Sequence, residues 1–237
     1  MSNGSEGRRV PVRHETPREA FLRSMREAAT HAHADAIFDQ IYPPEIRAVS
    51  RPFWTPVRVA ARAAELLATS PTTRVLDVGA GVGKFCIVGA AVTGVAFVGV
   101  ERRPRLVQVA RRAAEGCGVP SVSFICAEFH TLPAEDFDAF YFFNPFEENL
   151  WDPPETLDHL DDADSACPER FVADIVRAER MLFDARPGTR VATYHGFGGR
   201  MVPGYDLVHS EEQGTGVLQL WVRRGHRWRL VAPAHGD

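Results

Sequence analysis

Lysine is almost absent from this chain of 237 residues, because Lys84 is the only one and arginine supplies every other basic side chain except histidine. Catalytic schemes that need a lysine elsewhere, such as a Schiff base or a Tyr-x-x-x-Lys reductase site, are therefore excluded. The four cysteines form no Cys-x-x-Cys pair, which favours free thiols over a disulfide framework or a metal site. No apolar run is long enough to span a membrane and the N-terminus carries no apolar signal segment, so we expect a cytoplasmic protein with no membrane partner.

Lysine and arginine are both absent between Arg112 and Arg170, where acidic side chains are frequent. The acids of this interval are Glu115, Glu128, Glu135, Asp136, Asp138, Glu147, Glu148, Asp152, Glu155, Asp158, Asp161, Asp162, Asp164 and Glu169. Such a stretch would repel a nucleic-acid backbone and attract a cation, so we expect no nucleic-acid partner. An ordinary solvated acidic loop is the alternative explanation of the same residues.

Two segments precede the principal domain. Residues 1–15 are small, polar and arginine-containing, and we expect them to be disordered. Residues 16–54 are predicted to form an N-terminal helical extension, because Thr16 and Glu19 have the spacing of a capping box. Apolar residues then recur at helical spacing, which predicts one helix that ends at the Tyr-Pro-Pro beginning at Tyr42.

Residues 55–224 hold the principal domain, and residues 225–237 are predicted to be a C-terminal tail. A helix opens at Thr55-Pro56, and strand and helix patterns then alternate, which is typical of a parallel α/β sheet. The predicted strands end near Val78, Val100, Cys126, Phe143 and Tyr194. Tyr205–His209 and Val217–Val222 then break the alternation, and we predict an antiparallel β-hairpin for them.

A glycine-rich turn follows the first predicted strand, in the sequence R-V-L-D-V-G-A-G-V-G-K-F that begins at Arg74. The turn comprises Gly79, Ala80, Gly81 and Gly83. Its glycines let the backbone turn tightly and approach a ligand, and the helix that follows directs its amide end toward that ligand. Glu101 ends the next strand, where it can accept hydrogen bonds from both hydroxyls of a ribose. The pattern therefore predicts a nucleoside site.

Two phosphate-binding motifs do not fit this turn. A dinucleotide fingerprint needs a third glycine at the position that Lys84 occupies. A phosphate loop needs a glycine where Val78 stands and a hydroxyl where Phe85 stands.

What remains, D-x-G-x-G-x-G with an acid about twenty residues later, resembles the signature of class I S-adenosylmethionine-dependent methyltransferases. The resemblance implies a Rossmann-like, mostly parallel seven-stranded sheet with a C-terminal hairpin, and S-adenosylmethionine as cofactor with no metal required. It implies that Asp77 and the glycine turn face the amino-acid end of the cofactor and that Glu101 faces its ribose. It also implies that Glu128 accepts from the adenine amine and that Phe129 packs on the ring; a solvated acid is the alternative for Glu128.

Asn144, Pro145 and Phe146 follow the fourth predicted strand, where this family places the methyl acceptor. An Asn oxygen there can accept from a nucleophilic N–H and align the nitrogen lone pair. The motif is similar to that of non-SET lysine methyltransferases of the disruptor-of-telomeric-silencing type, which implies an amine-bearing acceptor, either a protein lysine or a small molecule. His195, at the end of the fifth strand, is a candidate proton acceptor or a structural residue.

The same resemblance suggests that aromatic residues wall a channel for an alkyl-amine stem; these are Tyr141, Phe142, Phe143 and Phe146. Burial within the sheet is the alternative for all but Phe146. Two other functions stay open at this point: N- or O-methylation of a small molecule, and a regulatory protein that binds the cofactor without turnover.

Overall fold

The computed structural model describes residues 15–27, 31–48, 54–150 and 167–225. The predicted tails thus lie almost entirely outside the described residues, and so do residues 151–166 of the acidic interval. The strands are β1 (Arg74–Val78), β2 (Ala96–Glu101), β3 (Val122–Cys126), β4 (Ala139–Phe142), β5 (Arg190–Tyr194), β6 (Tyr205–Gln213) and β7 (Gly216–Arg223). The helices are α1 (Pro17–Glu27), α2 (His31–Asp39), α3 (Pro44–Ala48), α4 (Val57–Leu67), α5 (Lys84–Thr93), α6 (Pro104–Gly116) and α7 (Pro168–Asp184).

The strands form one seven-stranded sheet in the order β3-β2-β1-β4-β5-β7-β6. The first five strands run parallel, whereas β7 pairs antiparallel with both β5 and β6. This arrangement confirms the predicted Rossmann-like α/β fold with a C-terminal hairpin. The hairpin strands are longer than predicted, since pairing continues from Tyr205 to Gln213 and from Gly216 to Arg223.

Side chains of the central strands alternate between two cores. On one face, Val75 and Tyr141 pack with residues of α4, α5 and α6. On the other, Leu76 and Phe142 pack with residues of α7, among them Leu182. Successive side chains of a strand point to opposite faces, so each central strand supplies both cores and is buried on both sides.

The strand order reverses between β1 and β4, because the chain first builds outward through β2 and β3 and then returns to add β4 and β5. Ligands of open α/β sheets bind at the carboxyl ends of the strands at such a point. The glycine turn lies there and is tied to β2, since the N–H groups of Gly79 and Ala80 both donate to the carbonyl of Val100 at 3.0 Å.

The N-terminal extension begins with the predicted capping box: Glu19 N donates to Thr16 Oγ1 at 3.2 Å, and Thr16 N donates to Glu19 Oε2 at 2.9 Å. The prediction of a single helix was wrong. The rings of Phe21 and Phe38 lie 5.5 Å apart, whereas one continuous helix would separate them by about 25 Å. Helices α1 and α2 pack on each other through this contact, which buries Phe38 fully and Phe21 in part. No helix in the described part of the chain has the length and apolar character needed to cross a bilayer.

Candidate active site

A cavity of about 360 Å³ opens at the carboxyl ends of β1, β4 and β5. The glycine turn forms one side of it, and three other segments complete it. These are residues 54–56 before α4, residues 143–145 after β4, and a group formed by Tyr194, His195 and Thr215. Most of the predicted site residues therefore meet around one space. They are Asp77, Gly79, Ala80, Gly81, Glu101, Asn144, Pro145 and His195.

Gly81 and Gly83 have different structural roles in the turn. A Cβ on Gly81 would meet nothing within 4 Å, and its φ is +54°, so its backbone faces open space at the cavity. A Cβ on Gly83 would lie 2.3 Å from the ring of Phe124. Gly83 does not line the cavity; it allows close packing at the start of α5, where its φ of 80° suits glycine.

Glu101 is buried and holds backbone on two sides of the cavity. Its Oε2 accepts from the N–H of Gly81 at 3.1 Å, and its Oε1 accepts from the N–H of Arg103 at 3.0 Å. The guanidinium of Arg103 lies 3.8 Å from Oε1 and forms a close ion pair with Glu148. A place for Arg103 in the site was not predicted from the sequence, although its position two residues after Glu101 could have indicated one.

Asp77 lies inside β1, 5% exposed, with its carboxylate on the same wall. The pKa of Asp77 is raised to about 7, chiefly by burial; a hydrogen bond of 3.4 Å from the Cys86 thiol opposes the shift, and the charge of Glu101 adds to it. A cation beside Asp77 would favour the ionised carboxylate. The cavity wall at Asp77 therefore favours a positively charged group of a ligand.

Asn144 and His195 both have left-handed backbones, with φ of 42° and 60°, at the ends of adjacent strands. The N–H of Asn144 donates to the carbonyl of Gly196 at 2.9 Å, which ties the two strand ends together. The side-chain Nδ2 of Asn144 donates to Glu147, so Oδ1 is the atom that remains to accept a hydrogen bond. Non-glycine residues in this conformation are uncommon and cluster at functional sites.

A second space, of about 40 Å³, adjoins the first and shares Gly79, Glu101, Pro145 and Glu148 with it. Three more of the predicted site residues line this second cavity: Glu128, Phe129 and Phe146. Glu128 forms a close ion pair with Arg170 of α7, while the rings of Phe129 and Phe146 lie 5.2 Å apart. The second cavity therefore places Glu128 and two aromatic rings next to Glu101.

The suggested channel of four aromatic rings does not form. Tyr141 and Phe142 are fully buried in opposite cores, as the alternative held, and Phe146 lines the smaller cavity. Phe143 alone of the four lines the larger one. The other aromatic rings along that cavity were not anticipated: Phe85 follows the glycine turn, and Trp54 and Tyr194 come from segments distant in sequence.

Residues 69–180 match the family model described as "Methyltransferase domain". The matched segment contains the glycine turn, Glu101, Glu128 and the motif at Asn144, and the sheet around it has the methyltransferase topology. Residues 69–180 therefore have the sequence and the fold of a methyltransferase domain. The protein is therefore an enzyme that methylates, and its cofactor is S-adenosylmethionine.

Solved structures share the methyltransferase fold at low sequence identity. An RNA methyltransferase from Salinibacter ruber in complex with S-adenosyl-L-homocysteine is 22% identical, with a TM-score of 0.51 over 72% of this chain and 94% of that chain. Cofactor-bound Rv0187 from MTB is 20% identical, with a TM-score of 0.54 over 90% and 99%. TrmN from Thermus thermophilus is 20% identical, with a TM-score of 0.54; the match covers 75% of this chain and about half of TrmN, 52%. No curated protein matches the sequence.

The residues around the two cavities fit the cofactor of a methyltransferase. Gly81 opens on the larger cavity without a side chain, so backbone can approach a ligand there. Oε2 of Glu148 is buried and has no hydrogen-bond partner among the described residues, at the boundary between the two spaces. No cluster of His, Cys, Asp or Glu with the geometry of a metal site occurs within the described ranges.

Proposed function

We propose that this methyltransferase transfers the methyl group to a nitrogen of an amine-bearing, cationic acceptor, such as a lysine side chain. One observation carries the proposal: Asn144, on the wall of the larger cavity, has its Nδ2 engaged by Glu147 and its Oδ1 left to accept. An acceptor N–H that donates to Oδ1 would have its lone pair oriented by that bond. S-adenosylmethionine, when bound, supplies a methyl group on a positively charged sulfur.

The proposed cofactor contacts follow the geometry of the two cavities. Asp77 and the turn around Gly81 would hold the amino-acid end in the larger space, and Glu101 would accept from the ribose between the two. Glu128 and Phe129 would hold the adenine at the smaller space. Arg170 and Arg103 already pair with Glu128 and Glu148, so these ion pairs would have to adjust when the adenine binds.

The charge of the larger cavity favours a cationic acceptor. Four acids line it, namely Asp77, Glu101, Glu147 and Glu148, and only two cations. Both cations are engaged, Lys84 with Asp35 and Asp39 and Arg103 with Glu148. An amine must also lose a proton before it attacks, and Glu147 or His195 lies on the same wall to receive it. We also propose that nucleic acid is not the acceptor, because the acids that line the cavity would repel its phosphates.

A small-molecule acceptor is the second candidate. It is favoured by the walls at Trp54 and Thr215, because residues of the N-terminal extension and the C-terminal hairpin then enclose the cavity together with the strand ends. O-methylation would not need the hydrogen-bond acceptor that Asn144 offers.

A tritiated methyl-transfer assay tests both candidates. The acceptors are a lysine-rich peptide, the same peptide with acetylated lysines, a polyamine, a catechol and a transfer RNA. We expect label on the unmodified peptide or the polyamine, with KM rising as salt rises because exposed charges are screened. Transfer to the catechol or the RNA, or salt-independent kinetics, would contradict the amine proposal.

A further inference from the structure

The only lysine of the chain is buried beside the active site. Lys84 is the first residue of α5, directly after the glycine turn, and its side chain is 5% exposed. Its Nζ donates to Oδ1 of Asp35 at 2.7 Å and to Oδ1 of Asp39 at 2.8 Å. Asp35 and Asp39 lie one helical turn apart on α2 of the N-terminal extension. The ion pair therefore joins the extension to the cofactor-binding half of the molecule.

Asp35 makes a second contact that extends this connection. Its Oδ1 also accepts from the N–H of Val57 at 2.8 Å, in the first turn of α4. An oxygen that accepts a backbone N–H at a helix N-terminus satisfies a donor that has no partner within the helix. The carboxylate of Asp35 thus joins α2 to both α4 and α5, and Lys84 supplies the positive charge at this junction.

Aromatic rings enclose the ammonium. Nζ of Lys84 lies 5.4 Å from the ring centroid of Phe38 and 5.6 Å from that of Trp54, within the range of cation–π attraction. Trp54 lines the larger cavity and is only 7% exposed. The same ring that forms a wall of the active site therefore packs against Lys84.

Two further hydrogen bonds tie the extension to the site. The hydroxyl of Tyr42 donates to the carbonyl of Val82, in the glycine turn, at 3.0 Å. Thr55 and Tyr141 share a hydrogen bond of 2.9 Å between their hydroxyls, and Thr55 lines the cavity. Both bonds are buried, so the extension is attached at the turn itself, and Thr55, the residue that follows it, is attached at β4.

We propose that Lys84 is a positioning residue: through Asp35 and Asp39 it fastens the N-terminal extension against the glycine turn and holds Trp54 and Thr55 over the cofactor. This proposal rests on the cofactor site described above and not on the identity of the acceptor. A buried charge that loses its partner is strongly unfavourable, so the pair is expected to stay closed in the native protein. Cofactor binding and closure of the extension should then stabilise each other.

Because Lys84 is the only lysine, amine-specific labelling reports on this junction directly. An Arg180→Lys variant supplies an exposed reference lysine on α7, since the side chain of Arg180 is 77% exposed. Acetylation of both lysines is followed by mass spectrometry with and without S-adenosylhomocysteine. We expect Lys84 to react at least tenfold more slowly than the reference, and more slowly still with the ligand, while the reference rate stays constant.

The matched variant is Asp35→Asn combined with Asp39→Asn, which removes the charges but keeps an oxygen that can accept from Val57. We expect Lys84 to be acetylated about tenfold faster in it, and calorimetry to show about tenfold weaker binding of S-adenosylhomocysteine. Glu211→Gln is the control, because it breaks the Arg62–Glu211 ion pair away from the cavity; both readouts should stay within twofold of wild type.

Three results would overturn the proposal. Lys84 acetylated as fast as the reference lysine in the wild-type chain would show that the junction is open. Wild-type ligand affinity in a double variant whose Lys84 has become reactive would show that the ion pair is structural only. If the double variant fails to fold, Asp39→Asn alone replaces it, because this variant leaves both contacts of Asp35. The proposal is then overturned if Asp39→Asn changes neither the acetylation rate of Lys84 nor the affinity for S-adenosylhomocysteine. Failure of the wild-type chain to bind S-adenosylhomocysteine would instead refute the cofactor site.

Discussion

The backbone N–H of Gly81 donates a hydrogen bond of 3.1 Å to Oε2 of Glu101. The carboxylate that we assign to the ribose therefore also fixes the turn that approaches the cofactor. Since its other oxygen accepts from the N–H of Arg103, the charge of Glu101 is satisfied by two backbone donors before any ligand binds.

Glu101→Gln should weaken binding of S-adenosylhomocysteine by about 1.5–3 kcal/mol, the range for a hydrogen bond to a charged group. The amide would also direct an N–H toward one of the two backbone donors. Calorimetry measures the change, and Glu115→Gln, at an exposed position of α6, is the control. An unchanged dissociation constant would place the ribose elsewhere.

The free energy of unfolding of the ligand-free protein should depend on pH through the protonation of Asp77. Its pKa is about 7 when folded and has an ordinary value of 3.8, so between these values the folded state keeps a proton that the unfolded state has lost. Stability must then fall as pH rises. From pH 5 to pH 8 the wild type should lose roughly 2.5 kcal/mol more than Asp77→Asn, as measured by denaturant unfolding. Parallel curves for the two proteins would refute the shifted pKa.

Asn144→Gly separates the side chain of Asn144 from its backbone. Glycine tolerates the φ of 42°, so the strand end should keep its shape while the acceptor contact disappears. We expect affinity for S-adenosylhomocysteine within a few-fold of wild type and turnover about 100-fold lower, because alignment of the acceptor is lost. Wild-type turnover on an identified acceptor would mean that the motif after β4 is structural.

Gly216→Ala probes the environment of His195. The added Cβ would lie 2.5 Å from Nε2 of His195 and 2.7 Å from the ring of Tyr194, so the imidazole must move. We expect a loss of about 1–3 kcal/mol in stability and lower turnover with unchanged cofactor affinity. Gly116→Ala, where the new Cβ would meet nothing within 4 Å, is the control. If turnover persists at the wild-type level, His195 does not receive the proton.

The meeting of Asp77, the glycine turn and Glu101 at one cavity was predictable because it is encoded locally. Asp77, the turn around Gly81 and the acid at Glu101 lie in one strand-turn-helix-strand unit, and parallel strands bring their carboxyl ends to one edge of the sheet. Spacing along the chain is then enough to place them together. The left-handed backbone of Asn144 was not predictable in the same way, since it accompanies a hydrogen bond to Gly196, in the loop after β5 and far along the chain.

The amino-acid sequence by itself determined the fold, the cofactor turn and the acid at the end of β2, because periodicity and short-range spacing fix these features. Only the tertiary structure decided which rings face the cavity: Tyr141 and Phe142 alternate into opposite cores, whereas Trp54 and Tyr194 reach the site from distant segments. It also decided that Lys84 pairs with Asp35, a residue 49 positions earlier. Such contacts depend on how helices pack on the sheet, and no local pattern records that packing.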